Sequence, residues 1–510
     1  MRMEIGVYIT LGLYFIAMLG IGLYAYREST SDVSGYILGG RKLGPAVASL
    51  SAGASDMSGW MLLGLPGAMY LSGLSSAWIA IGLFIGAFAN YLIVAPRLRL
   101  HTQLARDALT IPDYFDKRFL DRSRLLRIIS SVVIVIFFTL YTSSGLVAGG
   151  KLFESAFGLD YGWGLMITAG VVMAYTLLGG FMAVSLTDFV QGCIMFVALI
   201  LVPIVALTQI GGMGGMADTV RGIDPGLLNL FEGATVISIV SAMAWGLGYF
   251  GQPHIIVRFM AVRSVRDIPA MRNIGMSWML VTLIGALGTG LAGLAYASRT
   301  GLEVSDPETI FILLSDVLFH PLITGFLLAA ILAAIMSTIS SQLLVSSSSL
   351  TEDFYAVFLR KNAPQKELVM VGRLTVLAVA VAAGVLAWNP EASVLNLVSQ
   401  AWAGFGAAFG PLVILSLTWK RMTRNGALAG MIVGAATVLF WTYAPVLADG
   451  AKLGSVIYEI VPGFILSFLA IVVVSLMGKA PTGEVADTFD AVQAGLAEAK
   501  RGPAPATAAE

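Results

Sequence analysis

The sequence predicts an all-α integral membrane protein with about thirteen transmembrane helices, because apolar runs of about 20 residues, long enough to cross a bilayer core, recur along it. Hydrophobic residues make up 57% of its 510 residues and charged residues 12%, against about 45–50% and about 25% in soluble domains. Two of the runs, the second and the seventh, are interrupted at equivalent positions of two five-span units, the pattern of an inverted-repeat core. Such a composition excludes a soluble enzyme, a nucleic-acid binder and a disordered scaffold, all of which need more polar surface.

The expected spans are 5–26, 44–71, 75–96, 128–150, 162–180, 187–209, 234–256, 273–297, 317–349, 369–387, 394–419, 424–446 and 456–477. Barrel strands would be about ten residues long and alternating, which these are not. The first run has no basic leader and no A-x-A site, so it reads as a retained span. The chain then divides into 1–43, an N-terminal helix and loop; 44–209, the first repeat; 210–233, an outer loop; 234–419, the second repeat; 420–477, two further helices; and 478–510, a tail. That tail is rich in Ala and Pro. It reads as disordered toward its end, with a short amphipathic helix around 484–500 as the alternative.

Lys and Arg balance Asp and Glu at 30 each, so net charge says nothing about partners, but distribution does. With the N-terminus outside, only Arg2, Lys151, Arg221, Arg299 and Lys452 fall in outer segments, and every other Lys or Arg falls in inner ones. The bias favours N-out and C-in, and it places no Lys or Arg well within a span. The single cysteine, Cys193, and the scattered His101, His254 and His320 exclude a disulfide framework and a zinc motif.

Two carboxylates break the rule that a membrane anchor carries none. Asp56 sits in SLSAGASDMSGWMLLGLPGA and Asp188 in GGFMAVSLTDFVQGCIMF. A carboxylate in hydrocarbon costs about 2.5–3.5 kcal/mol on insertion scales, so it usually faces a cavity or an ion path. For Asp188, near a span boundary, a helix cap is an equally open reading.

Ser49 to Gly59 are dominated by Ser, Ala and Gly, weak helix formers that permit unwinding. Unwound backbone at membrane depth survives where it lines a polar cavity, and there its carbonyls can hold a cation. A second break is expected at 243–259, where Gly246, Gly248, Gly251 and Pro253 interrupt the seventh span beside Trp245 and Tyr249. A third feature is the hydroxyl-rich stretch from Ser337 on, with Ala334, Ser337 and Thr338 on one helix face. Hydroxyls beside free carbonyls make a hard-oxygen site for a small cation. The bland alternatives are a small-residue packing seam for the first break and a back-bonded polar helix for the last stretch.

With these residues in view, the chain resembles the sodium/solute symporter family, and within it the bacterial sodium/proline branch. The landmarks are YILGGRKLGP (36–45), SAGASDMSGW (51–60), LTIPDYFDKRF (109–119), GGFMAVSLTD (179–188), WGLGYFGQPHI (245–255), AAIMSTIS (333–340), PQKELV (364–369) and AWAGFGAAFGP (401–411). The resemblance covers about Gly35 to Lys479 and implies a core of ten helices in two inverted five-helix repeats, preceded by one helix and followed by two. It implies a sodium site of the Ala54, Met57 and Ala334 carbonyls with the Ser337 and Thr338 hydroxyls. It implies coupling or gating roles for Asp56, Asp188, Arg41 and Ser51, and a proline site lined by Trp60, Tyr141, Trp245, Tyr249, Pro253 and, across the cavity, Gly325.

Elementary chemistry stands beside that implication. Proline is a zwitterion with a compact apolar ring. Half-helix N-termini supply positive potential to its carboxylate, and aromatic faces hold its ring and ammonium. The expected function is sodium-coupled uptake of L-proline across the bacterial plasma membrane by a monomer, with sodium as the cofactor, the lipid bilayer as surroundings, and neither nucleic acid nor an obligatory protein partner. The rivals are a sodium- or proton-coupled carrier of another small solute such as pantothenate. A channel would need a selectivity filter or charged pore ring, and an intramembrane enzyme a catalytic motif; neither is visible.

Overall fold

A computed structural model describes residues 5–29, 33–389, 391–447 and 450–501, and among these no strand occurs. The first half of the chain forms α1 (Ile5–Ser29), α2 (Val33–Leu38), α3 (Pro45–Asp56), α4 (Leu65–Ser72), α5 (Ala77–Ile93), α6 (Ala95–Leu104), α7 (Ile111–Phe119), α8 (Leu125–Phe157), α9 (Tyr161–Gln209) and α10 (Gly212–Ile223). The second half forms α11 (Val236–Met243), α12 (Pro253–Ala261), α13 (Ile268–Thr300), α14 (Ile310–Leu318), α15 (Pro321–Ser348), α16 (Gln365–Leu386), α17 (Val394–Thr418), α18 (Arg424–Tyr443), α19 (Ile460–Met477) and α20 (Glu484–Arg501).

The helix starts follow from local chemistry. Pro45, Pro112, Pro253 and Pro321 occupy first-turn positions, where a missing N–H costs nothing and the fixed φ suits the helix. Thr110, Thr235, Ser393 and Thr423 cap their helices by accepting a first-turn amide. Ten helices among the described residues are long and apolar enough to cross a membrane. The remaining expected crossings lie where the structure breaks or joins helices.

One join alters an expected boundary. Spans 162–180 and 187–209 run together as α9, bent at Gly180, whose φ of 59° and ψ of −173° suit glycine alone. Phe181 to Leu186 are therefore helical, and Asp188 lies inside the second half of α9 rather than at its start. The tail also differs from the expected disorder over its described part. Helix α20 packs on α6 through buried Phe489, Val492 and Leu496, while Glu484 and Asp490 bond Arg106 and Lys420; residues 502–510 lie outside the described residues.

The core that positions the site is a nest of α3, α9, α12, α13 and α15. Helix α3 packs on α9, α13, α12 and α15, while α15 also packs on α8 and α1. The segment between α11 and α12 lies against α5 and α17. Gly86 of α5 and Gly246 of that segment meet backbone to backbone, a contact that a Cβ on either residue would abolish.

Candidate functional site

Both expected interruptions are present. Helix α3 ends at Asp56, Met57 turns out at ψ 72°, and the chain rewinds from Trp60 through a wide π turn into α4. Across the bundle, Ala244–Gly251 tightens into a 3-10 helix, Gln252 is extended, and α12 starts at Pro253. Small residues explain both: Ser, Ala and Gly give the helix little side-chain support, and the proline supplies no amide to continue it.

The first break frees a carbonyl. The Ser58 amide bonds to Asp56 O at 2.9 Å instead of reaching back to Ala54. Into that place come two hydroxyls from α15: Ser337 Oγ donates to Ala54 O at 2.7 Å, and Thr338 Oγ1 donates to it at 3.5 Å. Ser337 Oγ also lies 3.2 Å from Ala334 O. All four residues that hold these oxygens, Ala54 of α3 and Ala334, Ser337 and Thr338 of α15, are buried where the two helices pack together. A small hard cation inserted here would replace hydroxyl-to-carbonyl hydrogen bonds with oxygen coordination.

Next to the oxygens stands an aromatic group. Tyr249 donates to Asp56 Oδ2 at 2.5 Å, whereas Asp56 Oδ1 is buried with no hydrogen-bond partner. Asp56 O receives Trp60 Nε1 at 3.4 Å and Tyr141 OH at 3.5 Å. The Trp60 and Trp245 rings lie 6.4 Å apart, and Trp245 stacks on Tyr458 at 5.4 Å. Trp402 meets Tyr249 edge-on at 5.0 Å and donates Nε1 to Trp245 O at 2.7 Å. On its other side, Asp56 borders a cavity of about 30 Å³ with Asn90, Tyr91, Tyr249 and Trp278, enough for a water.

Pro253 and Gly325 do not join this group. Pro253 lines a separate small cavity with Thr110, Phe181 and Ser348. Gly325 packs against α1, where an added Cβ would stand 2.8 Å from Val7 O.

A family model for the sodium:solute symporters matches residues 36–434. The chain belongs to the sodium:solute symporter family. It is 60% identical over 479 residues to the osmoregulated proline transporter OpuE of Bacillus subtilis, covering 94% of this chain and 96% of that protein. It is 58% identical over 476 residues to the high-affinity proline transporter PutP of Bacillus subtilis, covering 93% and 99%. It is 54% identical over 491 residues to sodium/proline symporter 2 of Staphylococcus saprophyticus, covering 95% and 96%. Among solved structures, a sodium-coupled sialic acid symporter in a substrate-bound outward-open state matches with a TM-score of 0.79 at 19% identity, over 94% of this chain and 100% of that one. Mhp1, a nucleobase-cation-symport-1 family transporter in a closed conformation, matches with a TM-score of 0.54 at 13% identity, over 91% and 99%. The fold is that of this group of cation-coupled carriers, and the protein is a multi-pass membrane protein.

Within this sodium:solute symporter, Asp188 is no helix cap. It is fully buried, 3.1 Å from Arg258 Nη2, 2.8 Å from Ser51 Oγ and 3.5 Å from Ser341 Oγ. Arg258 also donates to Ser51 Oγ, Ser341 Oγ and His254 O. Arg258 lies past the expected span end at 256: α12 continues to Ala261 and brings its buried guanidinium to a carboxylate. Lys151, just past the expected span end at 150, is likewise buried in α8 and bonded to Asp306 and Glu308 at 2.8 Å each. Arg41, at φ 54°, ties three segments through Asp107, Thr102, Ala108 O and Met260 O.

Sequence reasoning missed Arg258, Trp402 and Tyr458. The first was hidden because the expected span stopped at 256, five residues before α12 ends at Ala261. Trp402 sits in AWAGFGAAFGP, and the available signal was Gly248 of the broken crossing, which faces the Trp402 ring where any side chain would collide. Tyr458 lies in an ordinary apolar stretch and gave no signal.

Proposed function

We propose that this symporter carries L-proline into the bacterial cell together with sodium, by alternating access, as a monomer in the plasma membrane with its N-terminus outside and C-terminus inside. The observation that carries the reading is similarity: relatives named as proline transporters and sodium/proline symporters are 54–60% identical to it over more than nine-tenths of its length. The concentration of Lys and Arg in one set of connecting segments supports the orientation. The two repeats are assigned to 44–209 and 234–419, so that each contributes one broken crossing.

In this mechanism sodium is cargo. Ala54 O, with Ser337 and Thr338, supplies ligands, and the Met57 and Ala334 carbonyls complete the set. The convergence of Ala54 O, Ala334 O and the two hydroxyls at 2.7–3.5 Å supports the assignment. Proline occupies the space bordered by Trp60, Tyr141, Trp245 and Tyr249, with Pro253 and Gly325 entering when the helices rearrange. The donors now aimed at Asp56 O suit its carboxylate, and the indole faces suit its ammonium. Sodium bound at the end of α3 fixes the break and so the position of Asp56 and Trp60. The coupling is a binding free energy, so proline raises sodium affinity by the same factor. Inward sodium movement supplies about 2.3 kcal/mol per charge per 100 mV. Asp188, Ser51 and Arg258 hold α3, α9, α12 and α15 in one arrangement, and Arg41 closes the inner side.

Purified protein in sealed vesicles tests this. Proline should accumulate under an inward sodium gradient and not under a proton gradient alone. Uptake indifferent to sodium, or displaced by pantothenate but not by proline, would overturn the reading.

A further inference from the structure

A cavity of about 770 Å³ opens beside the docked tail, walled by the end of α5, the starts of α6 and α13, the turn before α13 and one face of α20. Its lining carries Arg97, Arg266, Arg272 and Lys500 and no acidic side chain. Of the two acids adjacent in sequence to lining residues, Asp267 is turned to Arg263 at 2.6 Å, and Glu498 of α20 is exposed and not part of the lining. Arg272 lies over the Phe88 ring at 5.8 Å, which draws its charge toward the face of α5.

The same wall is apolar farther along the helices. Phe88 and Leu92 of α5 and Leu280 and Ile284 of α13 are all exposed on helices that cross the membrane. The cavity thus places a cluster of cations beside exposed apolar side chains of the same two helices, Leu92 being common to both. A soluble anion would use the first part only, whereas a molecule with an anionic head and an acyl chain uses both. The volume is in the range of pockets that enclose a small-molecule group.

We propose that this cavity binds the phosphate headgroup of an anionic phospholipid, with one acyl chain lying along Phe88 and Leu92, and that the bound lipid helps hold α20 against α13. The leaflet follows from the orientation proposed above; the binding does not.

The test titrates detergent-purified full-length protein with fluorescent phosphatidylglycerol and uses phosphatidylcholine and inorganic phosphate as competitors. Saturable binding is expected, weakened about tenfold or more in R97Q/R266Q/R272Q and close to unchanged in R360Q/K361Q/K366Q, which removes equal charge elsewhere. Equal weakening in both variants, no weakening in the first, or displacement by inorganic phosphate as effective as by unlabelled lipid would overturn the site. Should the triple variant misfold, the exposed single change R266Q decides: weaker binding supports the site and unchanged binding overturns it. Transport plays no part in this readout, so its failure is distinct from a failure of sodium-driven uptake.

Discussion

The Asp188 carboxylate and the Arg258 guanidinium meet at 3.1 Å with neither side chain open to solvent. The pair joins α9 to α12, and Ser51 of α3 and Ser341 of α15 bond both members, so four helices share one ionic knot. Such a pair is costly to break and less costly to replace, because a lone buried charge has nothing to offset its lost hydration. Asp188→Asn or Arg258→Met alone should destabilise the purified protein by about 3–5 kcal/mol, and the double variant by clearly less than the sum. Thermal unfolding in detergent measures this; strictly additive losses would mean that the two charges do not interact.

The oxygen cluster at the end of α3 gives a second prediction. Ser337→Ala and Thr338→Ala each delete one hydroxyl directed at Ala54 O. Each should raise the sodium concentration for half-maximal proline binding about tenfold, the equivalent of about 1.4 kcal/mol, with little change at saturating sodium. Sodium dependence that stays fixed in both variants would place the cation elsewhere.

Tyr249→Phe removes the hydroxyl that satisfies Asp56 Oδ2 and leaves the carboxylate, whose Oδ1 already has no hydrogen-bond partner, still less supported. The expected cost is about 1–3 kcal/mol, read as weaker proline binding at fixed sodium. Wild-type binding would show that the hydrogen bond contributes nothing to the loaded state.

Close packing at the second break is testable by volume. A methyl at Gly248 runs into the Trp402 indole, so Gly248→Ala should destabilise by about 1–3 kcal/mol. Gly170→Ala, which meets nothing within 4 Å on α9, should be neutral or stabilising by up to about 1 kcal/mol. Melting temperatures of the two variants moving together would refute the packing argument.

Outside the spans, Asp121 offers a pH prediction. Burial opposes its ionisation, but the Ser123 hydroxyl, the Leu126 amide and Arg424 outweigh that and hold its carboxyl below the ordinary range. A depressed folded value means the stabilisation is complete above about pH 4 and fades as pH falls through that lower value. Asp121→Asn should therefore melt earlier than wild type at neutral pH, with the gap closing in acid. A gap that persists unchanged at low pH would assign the effect to shape rather than charge.

Much of the architecture was legible because the membrane imposes simple rules. Length and apolarity marked the crossings, and small residues, glycine and proline marked both interruptions. Pairing was not legible: hydropathy treats Arg258 as a boundary residue and cannot see that Asp188 waits on another helix. The bend at Gly180 is equally invisible, since a GG pair in an apolar run reads as a loop or as packing. Trp402 and Tyr458 entered the aromatic group only through tertiary contact. Gly325 shows the reverse case, a position that resemblance assigns to the cavity and that packs here against α1.

Helix α20 follows every other described helix in the chain, yet Phe489 rests beside His101 and under the Arg118 guanidinium, near residues made long before it. During biogenesis that greasy berth stays vacant until synthesis has nearly finished. A chain lacking that segment would leave the part of α6 and α7 that Phe489 covers open to solvent, so the last described helix closes a contact begun by residues of the first quarter of the sequence.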